Sequence, residues 1–195
     1  LFVENYFVKA KENDFYAFEQ LILGYEKLYY NIAFRMANNA EDAKDIVQDS
    51  LIKIFRYLDK CNDFEMFKNW SCKIVTNTSI DFLRKKKRNF TTSLDAEIDG
   101  NENSYKYEIP SDEKTPEQEL IQSEESKMVL ECIENLSEQH KKIIVLRDLN
   151  GMSYEDIAKI EDITLGTVKS RLARGRTSLK NLLQEKMELF KTGSV

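Results

Sequence analysis

Both prolines of this chain, Pro110 and Pro116, fall in one stretch, SLDAEIDGNENSYKYEIPSDEKTPEQE, which covers residues 93–119. Acids greatly outnumber bases there, and the apolar residues lose any regular spacing. Such a segment cannot bury enough surface to offset the entropy of ordering its backbone, so it reads as a flexible acidic linker. With 195 residues, 42% of them hydrophobic, the chain can bury one sizeable core or two small ones. The linker selects the second arrangement: one domain over residues 1–92 and another over 120–195. No internal repeat is visible, although both flanks are helical in pattern.

The helix signal in the first flank is strongest in AEDAKDIVQDSLIKIFRYL, where Ala43, Ile46, Val47, Leu51, Ile54, Phe55 and Leu58 recur at three- and four-residue intervals. They form one apolar stripe, with Asp45, Gln48, Asp49 and Ile52 away from its centre. Upstream, Phe18, Ile22, Tyr25, Tyr29, Ile32 and Met36 repeat the pattern. Downstream, Phe67, Trp70, Ile74 and Leu83 mark another helix that runs into RKKKR. A bundle of three or four helices is expected, with Trp70 packed in its core. In the second flank, Ser137 can cap a helix through EQHKKIIVLRDL and Gly151 stops it. Ser153 and Asp156 then form a capping-box pattern opening YEDIAKI. After a short polar break at residues 161–164 a last helix begins, with Leu165, Val168, Leu172, Leu179 and Leu182 on its apolar side. Two short helices joined by such a turn suggest helix-turn-helix. The expected fold class is all-α, in two small domains.

Charge is distributed unevenly. The chain carries a formal net charge of -5, yet TVKSRLARGRTSLK, residues 167–180, holds five basic side chains and no acid. At about 100° per residue, Thr167, Ser170, Arg171, Arg174 and Ser178 point away from the apolar side. Arg can grip guanine bidentately, and Ser or Thr can approach either kind of base pair in a major groove. Lys169, Arg176 and Lys180, nearer the apolar edge, suit phosphates. The alternative is a basic helix that merely faces water.

Three segments, AEDAKDIVQDSLIKIF, FKNWSCKIVTNTSIDFLRKKKR and LNGMSYEDIAKIEDITLGTVKSRLARGRTSLK, resemble in order and spacing the two conserved modules of the extracytoplasmic-function (ECF) group of bacterial RNA polymerase sigma factors. The resemblance covers roughly residues 10–90 and 120–185 and implies sigma domain 2, then sigma domain 4, with the acidic linker where larger members have domain 3. It implies that Asp45, Gln48 and Asp49 dock on the clamp coiled coil of core RNA polymerase. Without the resemblance the same residues read as a solvated helix face.

The resemblance also implies that Asn77, Ile80 and Asp81 lie near the non-template strand of the promoter's minus-ten element. Arg84, Lys85, Lys86, Lys87 and Arg88 then contact its backbone, and the loop DKCNDFEM walls a base pocket. Opening a duplex needs a place for unstacked bases beside cations that hold phosphates. Asp81 is a departure, since an acid repels phosphate; it can accept from a cytosine amino group or orient Arg84 or Lys85. Arg147 matches a family position on minus-thirty-five DNA, or alternatively pairs with a nearby acid such as Asp148 or Glu155. Relatives often carry glycine near Asp162, which implies a left-handed residue in the turn; Asp tolerates that conformation better than most side chains.

Catalysis has little support. His140 is the single histidine, and no HExxH, P-loop, GxGxxG or GxSxG pattern occurs. Cys61, Cys72 and Cys132 show neither disulfide nor zinc spacing. No cofactor or metal is expected. No run is apolar enough to span a membrane and the first residues do not read as a signal peptide, which suggests a cytoplasmic protein. Three functions are compatible with the residues: a sigma factor, a stand-alone DNA-binding regulator, and an acidic protein-binding adaptor. The first uses every segment. Its expected partners are core polymerase and promoter DNA, with an anti-sigma factor as a further possibility. An acidic chain binds free DNA weakly, so the polymerase would hold both modules at promoter spacing and make two weak contacts bivalent.

Overall fold

The computed structural model describes residues 2–93 and 124–191, and every regular element among them is helical. The first half comprises α1 (Phe2–Lys11), α2 (Phe15–Leu23), α3 (Glu26–Ala37), α4 (Ala40–Arg56), a 3-10 turn (Leu58–Lys60) and α5 (Phe64–Ser93). That is more than the three or four helices expected. The apolar rhythm from Phe18 to Met36 runs across a break at Gly24 and Tyr25, because the chain resumes helix in almost the same phase. Among the described side chains of α1, Phe7 and Ala10 are buried and Tyr6 packs against the core, too few to stand out as a periodic stripe.

Caps fix the boundaries. Asp14, Asn39 and Asp63 each accept a hydrogen bond, at 3.0 Å, from the backbone N–H three residues on, which satisfies an orphan donor at the starts of α2, α4 and α5. Asn38 closes α3 in the left-handed conformation, with φ 52°. The stripe on α4 points inward as expected: Ala43, Ile46, Ile54 and Leu58 are buried, and Val47, Leu51 and Phe55 pack against them. Aromatic edges fill the space between helices, with Phe18 and Phe55 centroids 4.9 Å apart and Tyr25 and Phe67 5.3 Å apart. Trp70 is half-buried beside Phe67.

α5 buries an unusual set of small polar side chains: Ser71, Thr76, Thr78 and Ser79. Thr76 and Ser79 donate back to the carbonyls of Cys72 and Val75, four residues earlier, at 2.7 and 2.8 Å. Their hydroxyls therefore need no outside partner. Small residues let α5 lie close to α3 and α4, which leaves its long polar residues on the opposite side.

The second half comprises α6 (Glu124–Glu134), α7 (Glu138–Ile144) running into a π turn (Val145–Leu149), α8 (Tyr154–Glu161) and α9 (Leu165–Lys191). Ser137 occupies the N-cap position of α7 without a side-chain cap bond. Ser153 does cap α8, accepting from the Asp156 N–H at 3.0 Å. Gly151, at φ +66°, takes the chain out of the π turn. At Gly175, α9 touches α7: a Cβ would lie 3.3 Å from Ile144 and 3.4 Å from His140. Val168 and Leu172 are buried as expected, but Leu165 is 42% exposed. Thr164 is the residue that starts α9, accepting from the Thr167 N–H at 3.2 Å, so Leu165 falls in the exposed first turn.

The two halves are not held apart. The π turn and α6 lie against α3, and α8 lies against α5, so buried residues of both halves form one continuous cluster. Lys141, only 5% exposed, donates to the Met36 carbonyl at 3.4 Å. That carbonyl belongs to the last turn of α3, where a cation meets the negative end of the helix. Apart from Ser93, which ends α5, the acidic linker expected over residues 93–119 lies outside the described residues.

Candidate nucleic-acid interface

α8 and α9 form a helix-turn-helix whose turn depends on one residue. Asp162, at φ 55° and ψ 50°, is left-handed, and its N–H donates to the Ala158 carbonyl. The conformation foreseen at this position is present, carried by Asp instead of Gly. Beyond the turn, Lys169, Ser170, Arg174 and Lys180 are exposed along α9.

Other expected members of this face are engaged elsewhere. Thr167 is half-buried, its hydroxyl 2.9 Å from that of Thr164. Arg176 is exposed but forks onto Asp148, with its Nε donating at 3.0 Å. Arg147 donates to the Met152 carbonyl at 2.6 Å and lies 4.6 Å from the Tyr154 ring centroid. It thus staples the loop after the π turn and pairs with neither acid considered for it. Arg171 is half-buried and faces α5 across a cleft instead of continuing the row toward Arg174.

On α5, Asn77, Asp81 and Arg84 share one side of the helix, and Lys85, Lys86, Lys87 and Arg88 are exposed beyond them. Ile80 lies beneath this face, 5% exposed. Asp81 sits 3.7 Å from the Arg84 guanidinium, whose fork is taken by Glu138 of α7. Lys86 pairs with Asp42 of α4. A groove of about 480 Å³ separates this side from the second half, lined by Asn77, Asp81, Arg84, Glu138, Lys142 and Arg171 among others. The loop before α5 is closed by buried Cys61 and by Lys60 over the Tyr57 ring, 4.6 Å from its centroid. Burial pushes the Cys61 thiol up to about 11 and the Cys72 thiol up to about 12, which keeps both protonated and inert.

Asp45, Gln48 and Asp49 are all exposed on α4, yet they do not share one environment. Asp49 borders a groove flanked by the charged side chains of Lys53, Lys85 and Lys86. Gln48 borders an apolar groove of about 700 Å³ between α2 and α4, lined by Phe15, Phe18, Leu51, Ile52 and Phe55. Phe15 and Ile52 are 66% and 51% exposed. The sequence offered a signal for this groove in Ile52, an apolar residue off the stripe, but none for Phe15.

Known proteins share this arrangement. The family described as sigma-70 region 2 matches residues 21–89, and that described as sigma-70 region 4 matches residues 126–179. The chain is 33% identical to the ECF RNA polymerase sigma factor SigW of Bacillus subtilis, over 91% of this chain and 94% of that protein. The chain belongs to the ECF sigma factors. It is also 34% identical to the ECF RNA polymerase sigma-E factor of Haemophilus influenzae, over 92% of this chain and 94% of the relative. Among solved structures, the sigma factor RpoE from Bartonella quintana, in complex with the anti-sigma factor NepR, superposes with a TM-score of 0.61 at 26% identity, covering 86% of this chain and 96% of that one. For this ECF sigma factor, the region 2 match contains α3, α4 and most of α5, and the region 4 match contains the helix-turn-helix. Among the described residues no helix is long and apolar enough to cross a membrane, and no cluster of metal-ligating side chains occurs.

Proposed function

We propose that this ECF sigma factor joins core RNA polymerase through the exposed face of α4, reads the minus-thirty-five element with α9, and holds the opened minus-ten strand along α5. It acts as a non-catalytic initiation factor, with residues 1–92 serving as sigma domain 2 and 120–195 as sigma domain 4. The observation that carries this reading is the side-by-side presence of two different polar faces. Lys169, Ser170, Arg174 and Lys180 lie exposed in a helix-turn-helix, suited to a duplex groove. Asn77, Asp81 and Arg84 line a helix side suited to a separated strand. A regulator that binds only duplex DNA has no use for the second.

Docking combines charge and apolar surface. Asp45 and Asp49 offer carboxylates to a basic partner, while the groove beside Gln48 takes an apolar side chain into the cleft between α2 and α4. Charged rims set orientation and association rate, and a desolvated apolar centre supplies affinity. Lys85 and Lys86 bring cations to the groove that Asp49 borders, so polymerase docking and strand holding meet along the α4–α5 seam. An inhibitor of the anti-sigma class, as seen on the Bartonella protein, is a third partner in this scheme.

The test is run-off transcription with sigma-free core polymerase and genomic promoter fragments. Added chain should yield discrete transcripts, and non-template thymines near the start site should become permanganate-reactive. Asp45→Lys together with Asp49→Lys should abolish co-purification with core enzyme while leaving helix content unchanged. Tight duplex binding with no thymine reactivity would transfer the function to a stand-alone regulator.

A further inference from the structure

α1 reaches the loop before α5 through one polar side chain. Lys11, the last residue of α1, donates from Nζ to the Cys61 carbonyl at 2.8 Å, across a separation of 50 residues in the chain. Among the described residues, the further hydrogen bonds of this loop are local. The Lys60 and Cys61 N–H groups donate to the Tyr57 and Leu58 carbonyls at 3.0 and 3.1 Å. The Cys61 thiol donates to the Asp63 carbonyl at 3.4 Å, and the Met66 N–H donates to the Asp63 carboxylate at 3.0 Å. Lys11 thus ties the loop to a separate helix.

Both ends of this tie are fixed. α1 turns into α2 at Asn13, left-handed at φ 66°, whose N–H donates to the Ala10 carbonyl at 3.1 Å. Asp14 then caps α2. Phe7, one turn before Lys11, is buried against Phe64 and Phe67, with ring centroids 5.9 and 5.7 Å away. The ammonium stands 5.5 Å from the Phe7 centroid and at the C-terminal end of α1, where a cation is favoured. On the loop side, Leu58 and Cys61 are buried, so the backbone between them cannot move outward without exposing both.

The loop leaves a different set outside: the side chains of Asp59, Lys60 and Asn62 are exposed. An unstacked base is read by donors and acceptors held in place, and a surface that is already ordered gives up little entropy on binding. From this geometry we infer that Lys11 is a positioning residue for minus-ten recognition, acting through the Cys61 carbonyl to set the shape in which the loop meets a base. The inference rests on the reading of residues 59–66 as a wall of the base pocket. It adds α1 to that pocket's support, since the sigma-70 region 2 match begins only at residue 21.

The experiment has one arm without polymerase and one with it. In the first, hydrogen exchange of the full chain compares wild type with Lys11→Met, which keeps the stem and removes the donor. Peptides covering residues 57–66 should exchange about tenfold faster, while peptides from α9 keep their rates and Lys11→Arg, which can still donate, stays near wild type. In the second, run-off transcription compares promoters that differ at single minus-ten bases and share one minus-thirty-five element. Lys11→Met should lower the preference among them by about fivefold, and Lys11→Arg should retain it. In a chain carrying Asp59→Ala and Asn62→Ala, preference should already be low, and adding Lys11→Met should lower it no further. Unchanged exchange in Lys11→Met would overturn the anchor, and faster exchange with intact preference would overturn the positioning role. A loss that adds to that of the loop variant would overturn it as well, because Lys11 would then act elsewhere. Preference left intact by the loop variant itself would remove the base-pocket reading, and the inference with it, whatever the exchange rates show.

Discussion

α5 and α9 are the two longest helices among the described residues, and each carries a row of cations beside small polar residues. They differ in what faces the row. On α9, Lys169, Ser170, Arg174 and Lys180 meet solvent; on α5, Arg84 meets Glu138 and Asn77 meets Lys142. The difference has a physical source. α9 turns its apolar side to α7 through a close approach at Gly175, which directs its basic side outward. α5 turns a small-residue side to α3 and α4, so its polar side lies open to the second half. On the proposed reading, the side of α9 suited to a duplex is open, whereas the side of α5 suited to a strand touches the second half. The net charge of -5 disfavours stray binding of nucleic acid to the chain as a whole.

The largest effect expected from testing this contrast is on α9. Arg174→Ala should relax preference at one or two minus-thirty-five positions at a cost of about 1–3 kcal/mol, measured by competition between promoter variants. Lys180→Ala should weaken all promoters alike and make the salt slope shallower by about one unit. Equal weakening of every sequence by both changes would make α9 a phosphate gripper throughout, and its open face would then carry no sequence reading.

Legibility in the sequence followed the same divide. Stripes that point into a core were readable, as at Ala43, Ile46 and Ile54 or at Val168 and Leu172, because burial imposes a period on apolar residues. The left-handed residue at the helix-turn-helix was legible only through the resemblance, whose members often carry glycine there; Asp tolerates that conformation better than most side chains. The contact between the halves was not legible at all. Glu138, Lys142 and Asp156 sit in charged helical segments that look like any solvated surface, and a polar contact between distant segments leaves no periodic mark. Arg171 shows the consequence: projection of α9 as an isolated helix points it outward, but the cleft toward α5 receives it. Lys141 was equally hidden, a lysine in a lysine-rich segment that proves nearly fully buried against a helix end.

An intermediate effect is expected from pH. The fork from Arg84 holds the Glu138 carboxyl below its ordinary value. Burial pushes the Asp156 carboxyl up, but hydrogen bonds from Asn69 and Ser153, with Lys68 and Lys159 nearby, outweigh it and leave that carboxyl lowered as well. The part of this lowering that comes from Arg84, Asn69 and Lys68 across the contact stabilises it above the ordinary carboxyl range near pH 4, and that stabilisation disappears as pH falls through the lowered values. Energy transfer between dyes at Asp59→Cys and Gln184→Cys, one in each half, should therefore fall on acidification below about pH 4, with helix content falling later. Loss of both signals at one midpoint would show that the halves separate only by unfolding, and the contact on α5 would then be as permanent as the packing of α9 on α7.

The smallest effect isolates the helix-turn-helix from the contact between the halves. Asp162 pays a steric cost for φ 55° that glycine does not. Its side chain makes no capping bond that glycine would forfeit among the contacts of the turn, whose N–H groups at Asp162 and Ile163 both reach the Ala158 carbonyl. Asp162→Gly should raise stability by less than about 1 kcal/mol, because relief of the left-handed strain is partly offset by the greater freedom of glycine in the unfolded chain. Asp162→Val should lower it by about 1–2 kcal/mol, since a β-branched residue tolerates the conformation poorly. Urea midpoints at constant slope measure both changes. Neither should alter energy transfer between the halves, because Asp162 lies in the turn while the contact is held at Glu138, Lys142 and Asp156. A change in transfer that tracks the Asp162 substitutions would mean that the α8–α9 turn sets the position of the contact, and the two helix faces would then be coupled through the turn itself.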